Sequence, residues 1–393
     1  MNAHCREIWP ELIFCNVRSA ARAAVNSPSI AGMRADGSLN FGNSLPAGFR
    51  KRRPSSAKRY ERASSMTILV TGGAGYIGSH MVHALLEAGE RVLVLDNLAT
   101  GFDWAVAQGA AFALGDAGDQ ALVATLIAKY QVEAIIHFAA SVVVPDSVRD
   151  PLGYYRNNTA NSRALIEAAV KGGVRHFIFS STAAVYGNPE RVPVCEDDAT
   201  VPTSPYGSSK LMIEIMLRDA TRAHGLRHVI FRYFNVAGAD PLGRTGQATK
   251  RATHLIKVAV ETALGLRPEL EVFGTDYSTP DGTCIRDYIH VCDLVRAHCD
   301  ALAHLRAGGA SITLNCGYGR GFSVREVIAT VKCISGIDFK IELAGRRLGD
   351  PACVVANSDR ARAVLKWQPH FDDLGTIVRH ALAWERKLLA RTS

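Results

Sequence analysis

Tyr206 and Lys210 stand four positions apart in the segment YGSSK, so in a helix they share one face, one turn apart. A nearby cation stabilises a phenolate and lowers the pKa of a tyrosine from its ordinary value of about 10. The pair therefore predicts Tyr206 as a general base for a substrate hydroxyl, with Lys210 as the group that tunes its pKa. For this motif alone, an exposed polar pair is the alternative.

Three hydroxyl residues precede this pair. The run HFIFSS predicts a strand, and Ser180, Ser181 and Thr182 stand at its carboxyl end. A hydroxyl at this place can hydrogen-bond the same substrate oxygen as Tyr206. We therefore expect Thr182 to belong to the catalytic group.

Gly72, Gly75 and Gly78 form a GxxGxxG pattern between an apolar run and a helical pattern. In this context the glycines allow a tight turn, close backbone approach to a pyrophosphate and close packing of helix on strand. The free N–H groups and dipole of the helix N-terminus then favour phosphate binding. The pattern predicts a dinucleotide site, with a purely structural turn as the alternative.

Asp96 ends the next predicted strand, 18 residues after Gly78, where its carboxylate would accept both hydroxyls of a ribose. Asn97 follows it and no Arg is adjacent, which favours NAD over NADP. An oxidised nicotinamide beside Tyr206 would act in the same direction as Lys210, and Lys210 would also bind a ribose.

Apolar strand patterns alternate with amphipathic helical patterns from residue 67 onwards, which is typical of a parallel sheet covered on both faces. The predicted fold class is α/β, a Rossmann-type doubly wound parallel sheet with a smaller C-terminal α/β substrate lobe. We expect an NAD-binding domain over residues 66–240 and mainly a substrate-binding lobe over 241–393, where strands shorten and Gly and Pro increase.

The net charge of +8 belongs almost entirely to residues 1–65, which have 11 Lys and Arg against 4 Asp and Glu, whereas the remainder has 34 against 33. We interpret residues 1–65 as a disordered basic extension, with Met66 as the start of the working chain. A transit segment and a basic arm for an acidic partner are the alternatives.

Several classes of protein and site are disfavoured by composition. The nine cysteines include no CxxC pair, which predicts neither a metal site nor a disulfide framework and favours a cytoplasmic location. No run of 18 apolar residues predicts a membrane span. A nucleic-acid role would depend on residues 50–62 alone, without an aromatic platform.

The chain resembles the extended short-chain dehydrogenases/reductases, and among them the UDP-glucose 4-epimerases, from Met66 to about residue 385. The segments that resemble the family are GGAGYIGSH, HFAA (137–140), YYRNN (154–158), SPYGSSK (204–210), RYFNVAGA (232–239), DGTCIRDYIHVCDL (281–294) and RRLGD (346–350). The resemblance implies NAD-dependent 4-epimerisation of UDP-glucose and UDP-galactose through a transient 4-keto sugar.

The resemblance also implies further site residues. Those expected to contact NAD, beside the glycines and Asp96, are Tyr76, Ile77, Asn97, Asp116, Phe138, Ala139, Ala140, Asn157, Lys210 and Phe234. Those expected to contact the UDP-sugar, beside Thr182 and Tyr206, are Asn235, His254, Leu255, Phe273, Arg286, Tyr288, Arg347, Asp350 and Val354. Val354 is expected to face the C2 substituent of the sugar, with packing in the core of the lobe as its alternative.

The chain departs from the pattern of the family at two positions. Val142 stands where some members have a lysine, and Thr182 stands where many have a serine, which preserves the hydroxyl.

Enzymes of different chemistry share the same overall pattern. In dehydratases that resemble the family, Asp-Glu follows the strand-end threonine, whereas Ala183 and Ala184 follow it here, which argues against a 4,6-dehydratase. A UDP-N-acetylglucosamine 4-epimerase, a decarboxylase and a non-catalytic NAD-sensing regulator are the competing hypotheses. A regulator could dispense with the tyrosine and the lysine, both of which are present.

The helix that starts after Ser204 predicts a homodimer. Its apolar residues, which surround most of its circumference, are Leu211, Met212, Ile213, Ile215, Met216 and Leu217. A helix that is apolar on all sides is buried on more than one side. One face is expected to contact the sheet and another a partner subunit, with burial beneath the second lobe as the alternative.

Removal of residues 1–65 is expected to leave activity and the melting temperature nearly unchanged. The segment has no periodic apolar pattern long enough to pack on the rest of the chain, and its charge favours solvation. Thermal unfolding and turnover of a shortened chain that begins at Met66 test this expectation. Failure of the shortened chain to fold would contradict it.

Overall fold

The computed structural model describes residues 66–250, 252–347 and 349–392. The predicted extension at residues 1–65 lies outside the described residues. Within the described ranges, no helix combines the length and the apolar character needed to cross a membrane.

The described residues form strands and helices that alternate along most of the chain. The strands are β1 (Thr67–Thr71), β2 (Arg91–Asp96), β3 (Ala111–Leu114), β4 (Val132–His137), β5 (His176–Thr182), β6 (Arg227–Tyr233), β7 (Asn235–Ala237), β8 (Leu270–Phe273), β9 (Ile285–His290), β10 (Ile312–Cys316), β11 (Gly321–Ser323), β12 (Ile341–Ala344) and β13 (Cys353–Val354). The helices are α1 (Tyr76–Glu87), α2 (Gln120–Tyr130), α3 (Val144–Arg149), α4 (Pro151–Tyr154), α5 (Asn161–Lys171), α6 (Pro205–His224), α7 (Leu255–Ala263), α8 (Val291–Arg306), α9 (Val324–Ser335), α10 (Asp359–Leu365) and α11 (Leu374–Thr392).

Seven strands form one parallel sheet in the order β10-β6-β5-β4-β1-β2-β3. The strand order reverses between β1 and β4, the place where an open parallel sheet leaves a crevice at the carboxyl ends of its strands. The predicted Rossmann-type doubly wound sheet is confirmed.

Helices cover both faces of this sheet because successive strand residues point to opposite sides. Ile68 and Val70 of β1 belong to a core cluster with α1 and α8, whereas Leu69 between them belongs to a cluster with α2, α5 and α6. All three side chains are fully buried. The continuous apolar runs of these strands therefore follow from burial on two sides.

Capping residues define both ends of helix α6. The Ser204 side chain accepts a hydrogen bond from Gly207 N, and Pro205 occupies the first helical position. At the other end Gly225 adopts a left-handed conformation with φ of 71°. The predicted helix after Ser204 is confirmed, and its fixed start places Tyr206 in the first turn.

The segment between β4 and β5 contains more short helical elements than the sequence predicts. The pattern predicts a helix only after Pro151, but the short helix α3 precedes it, and a turn of π-helix at Tyr155–Ala160 interrupts the path to α5. Proline disfavours helical geometry in the residue before it, and Asp150 has a φ of −130°. The π-turn contains Asn157 and Asn158.

A smaller lobe follows β6. Its main sheet has β9 between β11 and β13, with β7 also paired to β9, and β8 pairs with β12 in a separate ribbon. Helices α7, α9 and α11 form a separate apolar core around these strands. The boundary at residue 240 stays a prediction, but the chain returns to the large sheet beyond it, because β10 pairs with β6 and α8 packs on α1.

Candidate active site

A cavity of about 720 Å³ opens at the carboxyl ends of the large sheet. Most of the predicted site residues line it: Gly72, Gly75, Tyr76, Ile77, Gly78, Asp96, Asn97, Asp116, Phe138, Ala139, Ala140, Asn157, Thr182, Tyr206, Lys210, Phe234, Asn235, His254, Arg286, Asp350 and Val354. Leu255 and Tyr288 line a small neighbouring cavity, together with Asn235 and His254. Phe273 and Arg347 line neither of these two cavities.

The glycine turn at one end of the cavity requires the absence of side chains. Gly72 has a φ of +71°, and a Cβ added to it would lie 2.7 Å from Ala139 N. A Cβ on Gly78 would lie 2.1 Å from Gly72 O, so helix α1 approaches β1 as closely as the backbone allows. No side chain caps the start of α1 at Gly75, where the helix N-terminus faces the cavity. The turn therefore fits a pyrophosphate.

Asp96 lies at the end of β2 with its side chain mostly buried. One carboxylate oxygen accepts from Ala74 N at 2.9 Å and the other from Leu98 N at 2.8 Å. These two bonds fix the carboxylate beside the glycine turn. Each oxygen has a further lone pair, so the geometry is compatible with the predicted ribose contact.

Asp116 and Asn97 form the adjoining wall. Asn97 Nδ2 donates to Asp116 Oδ2 at 2.9 Å, and Asp116 Oδ1 accepts from Gly118 N at 2.7 Å. Asn161 Nδ2 also donates to Asp116, at 3.0 Å. The sequence does not single out Asn161, because it follows the YYRNN segment without any distinguishing spacing of its own.

Tyr206 and Lys210 lie on the first turns of α6, with Thr182 opposite them at the end of β5. Burial raises the pKa of Tyr206 to about 12, against the opposing effect of a hydrogen bond with Thr182. Burial also lowers the pKa of Lys210 to about 7. In the protein without its cofactor, the expected lowering of the Tyr206 pKa by Lys210 is therefore wrong. Burial is the largest influence on the pKa of both side chains and outweighs any attraction between them.

Lys210 is positioned by the strand that ends at Thr182. Its Nζ donates to Ser180 O at 2.9 Å and lies 5.0 Å from the centre of the Phe179 ring. The side chain is almost fully buried. The ammonium group thus lies at the cavity floor, where a positive charge has little solvent to stabilise it.

Tyr233 and Tyr154 are neighbours of Tyr206 to which the sequence assigns no role. Burial raises the pKa of Tyr233 well above its ordinary value, against a hydrogen bond with Ser180. Tyr154 Oη donates to Val143 O at 2.7 Å. Both residues stand in segments that resemble the family, RYFN and YYRNN, but only the fold shows that they lie near Tyr206.

Asn157 and Asn158 use the π-turn to reach different partners. Asn157 Nδ2 donates to Ser141 Oγ at 2.9 Å. Asn158 is fully buried, accepts from Ser141 N at 2.8 Å and donates to Ser209 Oγ at 3.1 Å. Asn158, for which the sequence predicts no function, therefore joins the loop after β4 to helix α6.

Arg286 and Asp350 form the cavity wall contributed by the small lobe. Arg286 Nη2 donates to Asp350 Oδ1 at 2.6 Å, and Arg286 lies on β9 opposite Val354 of β13. Arg347 instead lies with its guanidinium 3.6 Å from the centre of the Phe273 ring. Of the two arginines predicted to bind a diphosphate, Arg286 lines the cavity and Arg347 does not.

The remaining predicted substrate residues lie where the two lobes meet. His254 precedes α7, its Nδ1 lies 2.9 Å from Gln247 Nε2, and burial lowers its pKa. Asn235 pairs with Tyr288 between β7 and β9.

Val354 has contacts on two sides. It is 7% exposed and packs with Tyr186, Val194 and Phe234, while it also lines the cavity. Both interpretations of this residue, as a neighbour of the sugar and as part of the core, are thus compatible with its position.

Comparison with known proteins identifies relatives over nearly all of the described chain. Residues 68–317 match the model of the NAD dependent epimerase/dehydratase family. The chain is 58% identical over 328 residues to a UDP-glucose 4-epimerase of Azospirillum brasilense, an alignment that covers 84% of this chain and 94% of that protein.

Two solved structures share the fold. The UDP-glucose 4-epimerase from Brucella ovis in complex with NAD has a TM-score of 0.79 and 44% identity, over 81% of this chain and 98% of that one. The UDP-Glc/GlcNAc 4-epimerase from Campylobacter jejuni has a TM-score of 0.72 and 47% identity, over 82% of this chain and 99% of that one.

Proposed function

The chain belongs to the NAD dependent epimerase/dehydratase family, and we propose that it interconverts UDP-glucose and UDP-galactose with Tyr206 as the acid/base group. It catalyses NAD-dependent 4-epimerisation of a UDP-sugar, an isomerisation without net redox change. Its 58% identical relative is named a UDP-glucose 4-epimerase, and the Brucella ovis structure is in complex with NAD. The observation that supports the assignment of residues is that the glycine turn, Asp96 and the Thr182–Tyr206–Lys210 group line one cavity.

The residues present fit NAD. The turn from Gly72 to Gly78 leaves room for a pyrophosphate, and Asp96 lies beside it for a ribose. NAD, when bound, supplies a reversible hydride acceptor and, in its oxidised form, a positive charge. We assign the rest of the cofactor contacts to the wall formed by Asp116, Phe138 and Asn157.

Tyr206 takes the proton from O4 of the sugar as C4 is oxidised, and returns it when C4 is reduced from the opposite face. Thr182, whose hydroxyl opposes the rise in the Tyr206 pKa, orients the same substrate oxygen. Because burial raises the pKa of Tyr206 to about 12, proton removal depends on positive charge beyond that of the protein groups, which the oxidised cofactor would bring. Proton transfer is therefore coupled to occupancy of the site.

Arg286 holds the diphosphate during the reaction, because its guanidinium fork matches phosphate oxygens. One N–H group of the Arg286 guanidinium already donates to Asp350. When a diphosphate binds, Arg286 would either turn away from Asp350 or bind the phosphate with its remaining N–H groups. Arg347 would have to leave the face of Phe273 to reach the cavity. Binding energy remote from C4 keeps the 4-keto sugar in the site while it turns.

Tyr206→Phe is expected to lower kcat by about 10²–10⁴-fold, the usual contribution of a positioned acid/base group. Binding of UDP is expected to persist because its proposed ligands lie elsewhere. Turnover of UDP-galactose and calorimetric titration with UDP measure the two effects. Near-normal turnover in the folded variant would remove Tyr206 from the mechanism.

We also propose that the protein is a homodimer through α6. Ile213 and Leu217 on one side of this helix are fully buried, whereas Met212 and Ile215 are 43% and 46% exposed. The adjoining α4 adds Leu152, which is also exposed. Exposed apolar side chains of this kind are what subunit interfaces cover.

Ile215→Lys is expected to convert the dimer to a monomer, because it places a charge in the proposed interface. Light scattering at micromolar concentration measures the mass. Leu343→Lys is the matched control, since Leu343 is similarly apolar and exposed but lies on β12 of the small lobe. A monomer mass for the parent protein would contradict the proposal.

A cytoplasmic location is a further part of this assignment. It is supported by the absence of a CxxC pair and of a regular disulfide spacing in the sequence, which suits a reducing compartment. Six described cysteines are free thiols: Cys195, Cys284, Cys292, Cys299, Cys316 and Cys353.

The position of Val354 supports a wider substrate range. A valine leaves more room beside the sugar C2 substituent than an aromatic residue would, and the C. jejuni relative is named for both glucose and N-acetylglucosamine forms. We therefore propose that UDP-N-acetylglucosamine is epimerised as well as UDP-glucose.

Val354→Tyr is expected to reduce kcat/KM selectively for UDP-N-acetylglucosamine, because the larger ring would crowd the N-acetyl group. The measurement compares kcat/KM for the two sugars in the parent and the variant. Equal losses on both sugars would indicate disturbed packing with Tyr186 and Phe234 instead. Absence of N-acetyl activity in the parent would also contradict the proposal.

A further inference from the structure

Glu214 lies on the same face of α6 as Tyr206 and Lys210, but deeper in the protein interior. Tyr206, Lys210 and Glu214 follow one another at intervals of four residues, so they lie along one side of the helix. Tyr206 and Lys210 reach the cavity, but Glu214 does not line it and is fully buried. A buried carboxylate is expensive unless it is paired and hydrogen-bonded, so its partners are informative.

Arg232 of β6 is the charged partner of Glu214. Arg232 Nε donates to Glu214 Oε1 at 3.1 Å and Nη2 donates to Glu214 Oε2 at 2.7 Å, a two-pronged contact. Arg232 is only 3% exposed. Such a fork fixes both the distance and the orientation of the two groups, which a point charge would not.

The same pair contacts both sides of the strand end that bears Thr182. Ser181, directly before Thr182, donates its hydroxyl to Glu214 Oε1. Arg232 Nη1 donates at 3.0 Å to the hydroxyl of Tyr186, which ends the short turn directly after Thr182. The pair thereby joins α6, which positions Tyr206, to the backbone that positions Thr182.

Arg232 also makes a hydrogen bond outside the contacts with Glu214 and Tyr186. Its Nη1 also donates to Glu196 O at 3.0 Å. Tyr186 Oη donates to Asn315 Oδ1 at 2.6 Å, on the neighbouring strand β10. Three strands and the catalytic helix therefore share one buried hydrogen-bond network beneath the cavity.

We propose that Glu214 and Arg232 are positioning residues, which hold Tyr206 at the correct distance from Thr182 for proton transfer at O4. This inference rests on the proposed role of Tyr206. A small displacement of α6 along β5 would separate the two hydroxyls, and misplacement of about 1 Å can reduce turnover about 100-fold. The pair acts through Tyr206 and does not contact the substrate.

Arg232→Lys is the first test, since it keeps the buried positive charge but loses the fork. We expect kcat to fall about 10- to 100-fold with KM for UDP-galactose and bound NAD unchanged. In the Tyr206→Phe background the same substitution is expected to have little further effect, because the group that it positions is gone. Losses that multiply in the double variant would show a general structural role and overturn the proposal.

The double variant Glu214→Leu/Arg232→Met is the second test, because replacement of a buried ion pair by apolar residues of similar volume can preserve stability. It is expected to lose kcat as Arg232→Lys does. Full kcat in either folded variant would overturn the proposal. If Tyr206→Phe itself retains turnover, the acid/base assignment fails, which distinguishes that failure from failure of the positioning role.

The matched control is Glu133→Leu/Arg306→Met. Arg306 Nε donates to Glu133 Oε1 at 3.1 Å, and Glu133 is 5% exposed near the start of β4, the central strand, at the end of the sheet away from the cavity. The control is expected to keep its kcat even where its melting temperature changes. An equal loss of kcat in the control would show that any disturbed ion pair in the sheet has the same effect, and would contradict a specific positioning role.

Discussion

Parallel pairing of seven strands directs all of their carboxyl ends to the same edge of the sheet, and the rest of the molecule depends on this constraint. Each strand end delivers a different group: the glycine turn after β1, Asp96 at the end of β2, Phe138 after β4 and Thr182 at the end of β5. Since the strand order reverses between β1 and β4, these groups surround a crevice and do not lie in a row. The small lobe then supplies the opposite wall.

Burial at this edge shifts the pKa values of Tyr206 and Lys210, the groups proposed for proton transfer. Without other charges, desolvation holds Tyr206 neutral and makes Lys210 easy to deprotonate, with a pKa of about 7. The arrangement links proton removal to the presence of cofactor and substrate, because their charges change what the cavity can stabilise.

Features of the fold and the site that depend on residues adjacent in the chain could be predicted from the sequence. The turn at Gly72 and the start of α6 at Ser204 depend on residues adjacent in the chain, so pattern and spacing locate them. The helix α3 before Pro151, the contact of Arg347 with Phe273 and the neighbours of Tyr206 depend on tertiary packing, which no spacing reveals. The pKa of Tyr206 in the protein without its cofactor rises for the same reason: charge proximity can be inferred from YxxxK, but the extent of desolvation cannot.

The return of the chain to the large sheet has a consequence for biosynthesis. Strand β10 covers the edge of β6, and Leu294 and Trp367 complete the apolar core on the α1 face. A nascent chain that ends at residue 240 would leave that edge and that face open to other chains. Co-translational folding of the nucleotide-binding half therefore cannot finish until most of the second lobe has left the ribosome. The two lobes are thus tied together by the chain order, and a split at residue 240 would expose the edge of β6 and the apolar face that β10 and α8 cover.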